Sequence, residues 1–204
     1  VDELFPGYDR MVAIFGKRHA VCELNNYDVG ADKYSKDRKA ALSAITDYCK
    51  NLAVNVAEGK NVILIGNVGT GKDHLAASIV RVGLPMKYTA ASVRGSVLAA
   101  EMRACQCGDG GTNYPLKYAE RDLLILSDAE PRHDGNGSEF EQKAFLELVD
   151  QRYRDVKPTI LTSNVKEVKD IAKAIGLRAL DRLCENAVLV KTWWPSYRQR
   201  NAEA

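Results

Sequence analysis

Three glycines and a lysine fall within eight residues, Gly66-Asn67-Val68-Gly69-Thr70-Gly71-Lys72-Asp73. Glycines at 66, 69 and 71 let the backbone curl so that its N–H groups turn inward, the arrangement that cradles phosphate oxygens. Lys72 adds a point charge able to reach the β- and γ-phosphates of a nucleotide. An apolar run, Asn61-Val62-Ile63-Leu64-Ile65, precedes the loop, and the helix-like His74-Leu75-Ala76-Ala77-Ser78-Ile79-Val80 follows it. Strand, glycine loop and helix are the setting of a P-loop, and the new helix brings the positive end of its dipole to the phosphates. Gly66, Asn67, Val68, Gly69, Thr70, Gly71, Lys72, Asp73 and His74 are therefore the candidate nucleotide contacts. The spacing fits G-x-x-x-x-G-K, but Asp73 stands where a hydroxyl residue normally holds Mg²⁺. A glycine-rich turn that binds nothing is the bland alternative, and the lysine, the strand and the helix together weigh against it. Hydrolysis is a separate question.

A second acidic feature ends another apolar run, Arg121-Asp122-Leu123-Leu124-Ile125-Leu126-Ser127-Asp128. Strands of this kind end beside a P-loop, where their carboxylates hold Mg²⁺ and polarise the attacking water. Two registers are open. If the strand ends after Leu126, Ser127 takes the Mg²⁺ position and Asp128 that of the catalytic acid. If it runs one residue further, Asp128 is the metal residue and Glu130 lies two positions beyond it. A third run, Pro158 to Asn164, ends in a polar cluster, and Asn164 at its tip could orient water or touch the γ-phosphate; a plain strand-end turn is the alternative. Arg178 and Arg182 are four apart and share a helix face, so either could reach a neighbouring subunit's nucleotide; a surface pair bonded to Asp181 or Glu185 competes with that reading. Trp193-Trp194-Pro195-Ser196-Tyr197-Arg198 reads as a packed aromatic plug in preference to a nucleic-acid platform.

The elements that must position these groups alternate along the chain. Residues 1–36 read as irregular. Asp37 to Glu58 reads as one amphipathic helix stopped by Gly59. Met86 to Ala90 forms a second strand and Ser92 caps a helix running to about Arg103, with loops over 105–113 and 134–137. Ser138 starts a helix with Glu141 in a capping box, helices follow from Glu167 and Leu177, and Ala187 to Val190 is a fifth strand. Five strands alternating with helices predict a doubly covered parallel sheet with right-handed crossovers. The 204 residues suit one α/β domain, residues 37–204, with an N-terminal extension over 1–36. A net charge of +2 gives no whole-chain argument for nucleic acid, and no apolar run approaches a membrane span or a signal peptide. Five scattered cysteines suit reduced thiols in the cytoplasm, and Cys105-Gln-Cys107 lacks the partner cluster that a zinc site needs.

Taken in order, Gly66 to Lys72, Asp122 to Leu126, Pro158 to Asn164 and Arg178-Ala179-Leu180-Asp181-Arg182-Leu183 resemble the AAA+ domain of DnaC/DnaI helicase loaders and IstB transposition helpers. Trp194-Pro195-Ser196-Tyr197-Arg198 is similar to that family's terminal W-x-S-Y-R, and the likeness spans about residues 20 to 200. The resemblance implies sheet order 5-1-4-3-2 and ATP with Mg²⁺; Asp73 and Asp128 are this chain's candidate metal residues. It also implies Lys72 on phosphate, Asn164 as sensor 1, Arg178 or Arg182 as arginine finger and Arg198 as a sensor 2 candidate. It implies ATP-bound spirals that grip single-stranded DNA or a replicative helicase. The family's separate helicase-binding domain is expected to be absent or reduced to residues 1–35. Two departures occur together: Asp73 replaces Thr or Ser, and Ser127-Asp128 replaces an Asp followed by an acid. Asp73 would then restore the charge missing at Ser127 from the opposite side of the metal. Two functional readings follow, an ATPase that loads a helicase or assists a transposase, and a nucleotide-binding adaptor without hydrolysis. A small-molecule kinase would not explain Thr162-Ser163-Asn164 together with Arg178 to Leu183.

Overall fold

Five apolar runs form one parallel sheet in the computed structural model, which describes residues 7–106, 116–130 and 138–200. The strands are β1 (Asn61–Gly66), β2 (Ala90–Arg94), β3 (Leu123–Ser127), β4 (Thr159–Ser163) and β5 (Ala187–Thr192). Their spatial order is β2-β3-β4-β1-β5, the expected 5-1-4-3-2 read from the other edge. The helices are α1 (Tyr8–Phe15), α2 (Ser35–Lys50), α3 (Leu52–Ala57), α4 (Lys72–Gly83), α5 (Gly95–Gln106), α6 (Leu116–Ala119), α7 (Glu139–Arg154), α8 (Val168–Ile175), α9 (Leu177–Glu185) and α10 (Tyr197–Arg200).

All six residues of β1 are buried, because β4 and β5 flank it and helices cover both faces. Side chains alternate between two cores. Ile63 and Ile65 join Leu124, Leu126 and Leu161 against Leu98, Phe145, Leu148 and Leu180. Val62 and Leu64 join Ile125, Ile160 and Val190 against Ile45, Leu75, Ile79 and Trp194. This sandwich places the C-terminal strand ends, where open α/β sheets bind ligands, side by side.

Four expectations need correction. Residues 8–15 are helical, and Met11, Ala20, Cys22 and Tyr27 are buried in the same core as α2 and α4. The long helix over 37–58 breaks at Asn51, whose side-chain amide donates to the Asp47 carbonyl at 3.1 Å and competes with the helical ladder. The second strand lies at 90–94, because Gly83 to Tyr88 closes a turn with Lys87 in the left-handed region (φ 67°). Its register is then fixed by Thr89, whose N–H and hydroxyl both donate to Asp122 at 2.8 Å. Ser92 consequently sits within β2 opposite Ile125 and caps nothing. The capping box at Ser138 and Glu141 is present, with reciprocal bonds of 3.2 and 3.0 Å. The loop expected over 134–137, and 107–113 of the other, lie outside the described residues, while 105 and 106 close α5.

Arg152 of α7 ties this frame together. It is 1% exposed, and its guanidinium donates to Thr159 Oγ1 (3.0 Å) and to the carbonyls of Tyr118 (2.9 Å), Ala119 (3.1 Å), Arg121 (2.7 Å) and Pro158 (2.5 Å). It thereby fixes the entrances of β3 and β4, and burial pushes its pKa down to about 9. Arg152→Ala strands several buried carbonyls at once, so a loss of ~3 kcal/mol or more in urea unfolding is expected. A loss below ~1 kcal/mol would show that the entrances hold without it.

Candidate functional site

The glycine loop leaves β1 at Gly66 and enters α4 at Lys72. Gly66, Gly69 and Gly71 have φ of 142°, 74° and 92°, conformations that L side chains rarely adopt. Space forbids a side chain as well: a Cβ on Gly66 would lie 2.3 Å from the Thr192 carbonyl, and one on Gly69 would lie 2.1 Å from Ser196 Oγ. Lys72 is buried and its ammonium donates to the carbonyls of Gly66 (3.0 Å) and Asn67 (2.7 Å). Burial lowers its pKa, opposed by the nearby carboxylates of Asp73, Glu130 and Asp128.

The outer side of the loop is held by both chain ends. Tyr27 Oη and Trp194 Nε1 donate to the Thr70 carbonyl at 3.1 and 3.0 Å, and Tyr197 N–H donates to the Gly69 carbonyl at 2.8 Å. Thr70 and Thr192 hydroxyls meet at 2.7 Å, and Asn67 Nδ2 donates to the Trp194 carbonyl at 3.1 Å. Among the described residues, the backbone N–H groups of Val68, Gly69, Thr70 and Gly71 have no partner. A loop whose carbonyls are bonded and whose N–H groups are left without a partner has what an anion cradle needs.

The tips of β3 and β4 supply the acidic wall. β3 extends through Ser127, and Asp128 follows in the left-handed region (φ 51°). Thr162 on β4 donates its hydroxyl to Asp73 Oδ1 at 3.0 Å and accepts the Asp128 N–H at 3.4 Å, so one buried side chain links the two candidate metal residues. Glu130 accepts from the Asn164 N–H at 3.1 Å and from the Asn164 side-chain amide. Asp128 is raised above the usual carboxylate range although its side chain reaches solvent. Desolvation against the cleft wall is the first cause, and repulsion from Asp73 and Glu130 follows. Among the described residues, no three His, Cys, Asp or Glu side chains converge as a ready-made metal cluster. Cys107 lies outside those residues.

A cleft of about 820 Å³ collects most of the expected groups: residues 68–74 from the loop, Asp128, Asn164 and Arg198 line it. An adjoining cleft of about 360 Å³ sets Asp73 across from Ser127 and Asp128, with Arg94 and His19. His74 lies on the main wall, but its Nε2–H is committed to the Glu23 carbonyl at 2.8 Å and its ring packs edge-on against Tyr27. Arg178 is exposed on α9 outside the cleft. Arg182 lies near the opposite end of the sheet, beside Asn61 and Thr159. It is paired with Asp150 at 2.7 Å, not with Asp181 or Glu185, and its guanidinium lies over Tyr153. Neither arginine faces the nucleotide cleft of its own protomer. Trp194 is packed as expected, while Trp193 is 38% exposed.

Sequence reading passed over Tyr27, Arg38, Thr192 and the bonds made by Thr162. Arg38, 2% exposed, chelates Asp32 at 2.7 and 3.1 Å and lies over the Trp194 ring, bracing the N-terminal segment against the plug. An arginine in the first turn of an amphipathic helix, three before Ala41 and seven before Ile45 on its apolar stripe, was the available signal.

A parallel sheet of this order, with a glycine loop and buried lysine leaving β1, defines a P-loop protein of the AAA+ type. The chain belongs to the IstB-like ATP binding protein family, whose pattern matches residues 19–204. It is 26% identical to the replicative helicase loader DnaC of Escherichia coli K12, over 89% of this chain and 71% of that one. It is 29% identical to a putative insertion sequence ATP-binding protein of Sinorhizobium fredii, over 72% of this chain and 49% of that one. The fold matches a crystal structure of the DnaC helicase loader with a TM-score of 0.73 at 20% identity, covering 86% of this chain and 99% of that one. It also matches AMPPCP-bound DnaA from Aquifex aeolicus with a TM-score of 0.68 at 22% identity, covering 86% and 51%.

Because the folded protein favours protonated Asp128, this residue's contribution to stability is greatest below the ordinary carboxylate range and is lost as pH rises through the raised value. Asp128→Asn removes that loss. The nucleotide-free variant is expected to melt above the parent at pH 7, with the gap narrowing as pH falls through the carboxylate range. A gap independent of pH would contradict this origin.

Proposed function

We propose that this chain is a nucleotide-dependent switch of DNA replication that loads or remodels a replicative helicase on single-stranded DNA. The observation that carries the reading is the anion cradle with Lys72 beside Asp73, Asp128 and Asn164, in a family of ATP-binding proteins. The similarity to DnaC over most of both chains supports helicase loading, and the shorter match to the insertion sequence protein keeps a transposition helper as the second reading.

In this account the loop N–H groups and Lys72 bind the phosphates of ATP. The residues suit Mg²⁺ as well: Asp73 and Asp128 share one cleft wall and repel each other, and a divalent cation would relieve that repulsion. Bound there, Mg²⁺ would supply positive charge to offset that of the phosphates. Asp73 and Asp128 hold the cation side, with Thr162 fixing Asp73, and Asn164 meets the terminal phosphate or orients water. Arg198 reaches the mouth from α10. Arg178 or Arg182 serves in trans, on the nucleotide of a neighbouring copy in a spiral or ring. For Arg182 this requires release from Asp150. Residues 37–204 act as the ATPase domain, and 1–36 form its N-terminal extension. Among the described residues no helix is long and apolar enough to cross a membrane, which accords with work in the cytoplasm.

The Asp73 and Ser127 departures decide between turnover and a gated adaptor. If Asp73 supplies the charge missing at Ser127, the parent hydrolyses ATP with Mg²⁺ and not with EDTA, and single-stranded DNA alters the rate. The double variant Asp73→Thr, Ser127→Asp is then expected to turn over within about threefold of the parent, less than ~1 kcal/mol of barrier. A silent parent that the double variant activates would make the natural chain a binding module.

A further inference from the structure

Glu130 lies beyond the end of β3, and its carboxylate is clasped by Asn164 at the tip of β4. Two donors of one residue, the backbone N–H at 3.1 Å and the side-chain amide, both point at it. The preceding turn is itself fixed: Ala129 N–H donates to the Thr162 carbonyl (3.1 Å), and Ser163 Oγ donates to the Ala129 carbonyl (2.9 Å). Glu130 and Asn164 line the same cleft as Lys72 and the glycine loop.

The cleft therefore contains an anion already seated on an amide. A carboxylate and a terminal phosphate are both anionic acceptors, and a charge-assisted bond to either is stronger than one to a neutral group. A diphosphate is satisfied by the loop N–H groups and Lys72. A third phosphate in the cleft that Lys72, Glu130 and Asn164 line together would come upon the Asn164 amide and the Glu130 charge at the strand tips.

We propose that Glu130 is a specificity-determining residue: it occupies the Asn164 amide as a built-in rival of the terminal phosphate, and so sets how the cleft discriminates nucleoside triphosphate from diphosphate. The inference rests on the nucleotide-binding reading above. When a triphosphate binds, its terminal oxygen takes the amide and Glu130 swings away, so the β3–β4 junction reports the third phosphate. A diphosphate leaves the clasp closed. Ser163 and Thr162 stay bonded in both states, which confines the change to the Glu130 and Asn164 side chains.

The test is calorimetric affinity for ADP and for the ATP analogue AMPPCP, both with Mg²⁺, on the full chain and on Glu130→Ala, Glu130→Gln, Asn164→Ala and the Glu130→Ala, Asn164→Ala pair. Glu130→Ala is expected to bind AMPPCP about tenfold more tightly, with ADP changed less than about twofold. Glu130→Gln, which keeps an acceptor of the same shape and removes the charge, is expected to fall between parent and Glu130→Ala. The gain should vanish when Asn164 is already alanine, which a merely structural role would not produce. Equal gains for both nucleotides, weaker AMPPCP binding, or a gain that persists without Asn164 would each overturn the proposal. Absence of binding to either nucleotide in the parent would instead overturn the nucleotide-site reading, and the proposal with it.

Discussion

A loop that leaves its N–H groups free for an anion must still find donors for its carbonyls, and each buried carbonyl left without one costs about 1–3 kcal/mol. Much of this structure answers that requirement. Lys72 serves the carbonyls of Gly66 and Asn67 from within, and Thr70 Oγ1 adds a second donor to Asn67 at 2.8 Å. Tyr27, Trp194 and Tyr197 serve Thr70 and Gly69 from without. These donors come from a segment before the sheet and a segment after it. The segments on either side of the sheet are thus parts of the loop's support, and Arg38, locked to Asp32 and lying over the Trp194 ring, joins the two.

The same loop places a charge problem next to the phosphates. Asp73, Asp128 and Glu130 face one lysine; desolvation is the first cause of both shifts, raising Asp128 with the help of the other two acids and lowering Lys72 against the pull of all three. β4 manages the acids individually: Thr162 donates to Asp73, and Asn164 donates to Glu130. A strand between β3 and β1 is the one position from which side chains reach both, so the sheet order is a condition of the chemistry.

The sequence already exposed the sheet and the loop, because continuous apolar runs and glycines at fixed offsets are strong local signals, while the strand order came with the family resemblance. β2 was misplaced because its position depends on Thr89 pairing with Asp122, 33 residues away in the chain. The break at Asn51 was hidden inside a helical apolar pattern that continues on either side of it. At the site, Lys72, Asp128 and Asn164 were legible from their places at strand and loop ends. The register of Asp128 needed the observed end of β3 at Ser127. Tyr27, Trp194 and Thr192 were illegible as site elements, since an aromatic or a threonine far from the motif gives no hint that its polar atom meets a loop carbonyl or hydroxyl. For Arg182 the sequence offered a neighbouring subunit's nucleotide or a surface bond to Asp181 or Glu185, and only the fold reveals Asp150 beside it.

The most direct test of this account is a ¹H–¹⁵N titration of the full chain with MgATP, following the backbone amides one by one. The account predicts that Val68, Gly69, Thr70 and Gly71 shift most and saturate together, with Asn164 moving on the same isotherm. Saturable shifts confined to other surfaces, with the loop amides unmoved, would contradict the claim that this loop is built to hold phosphate.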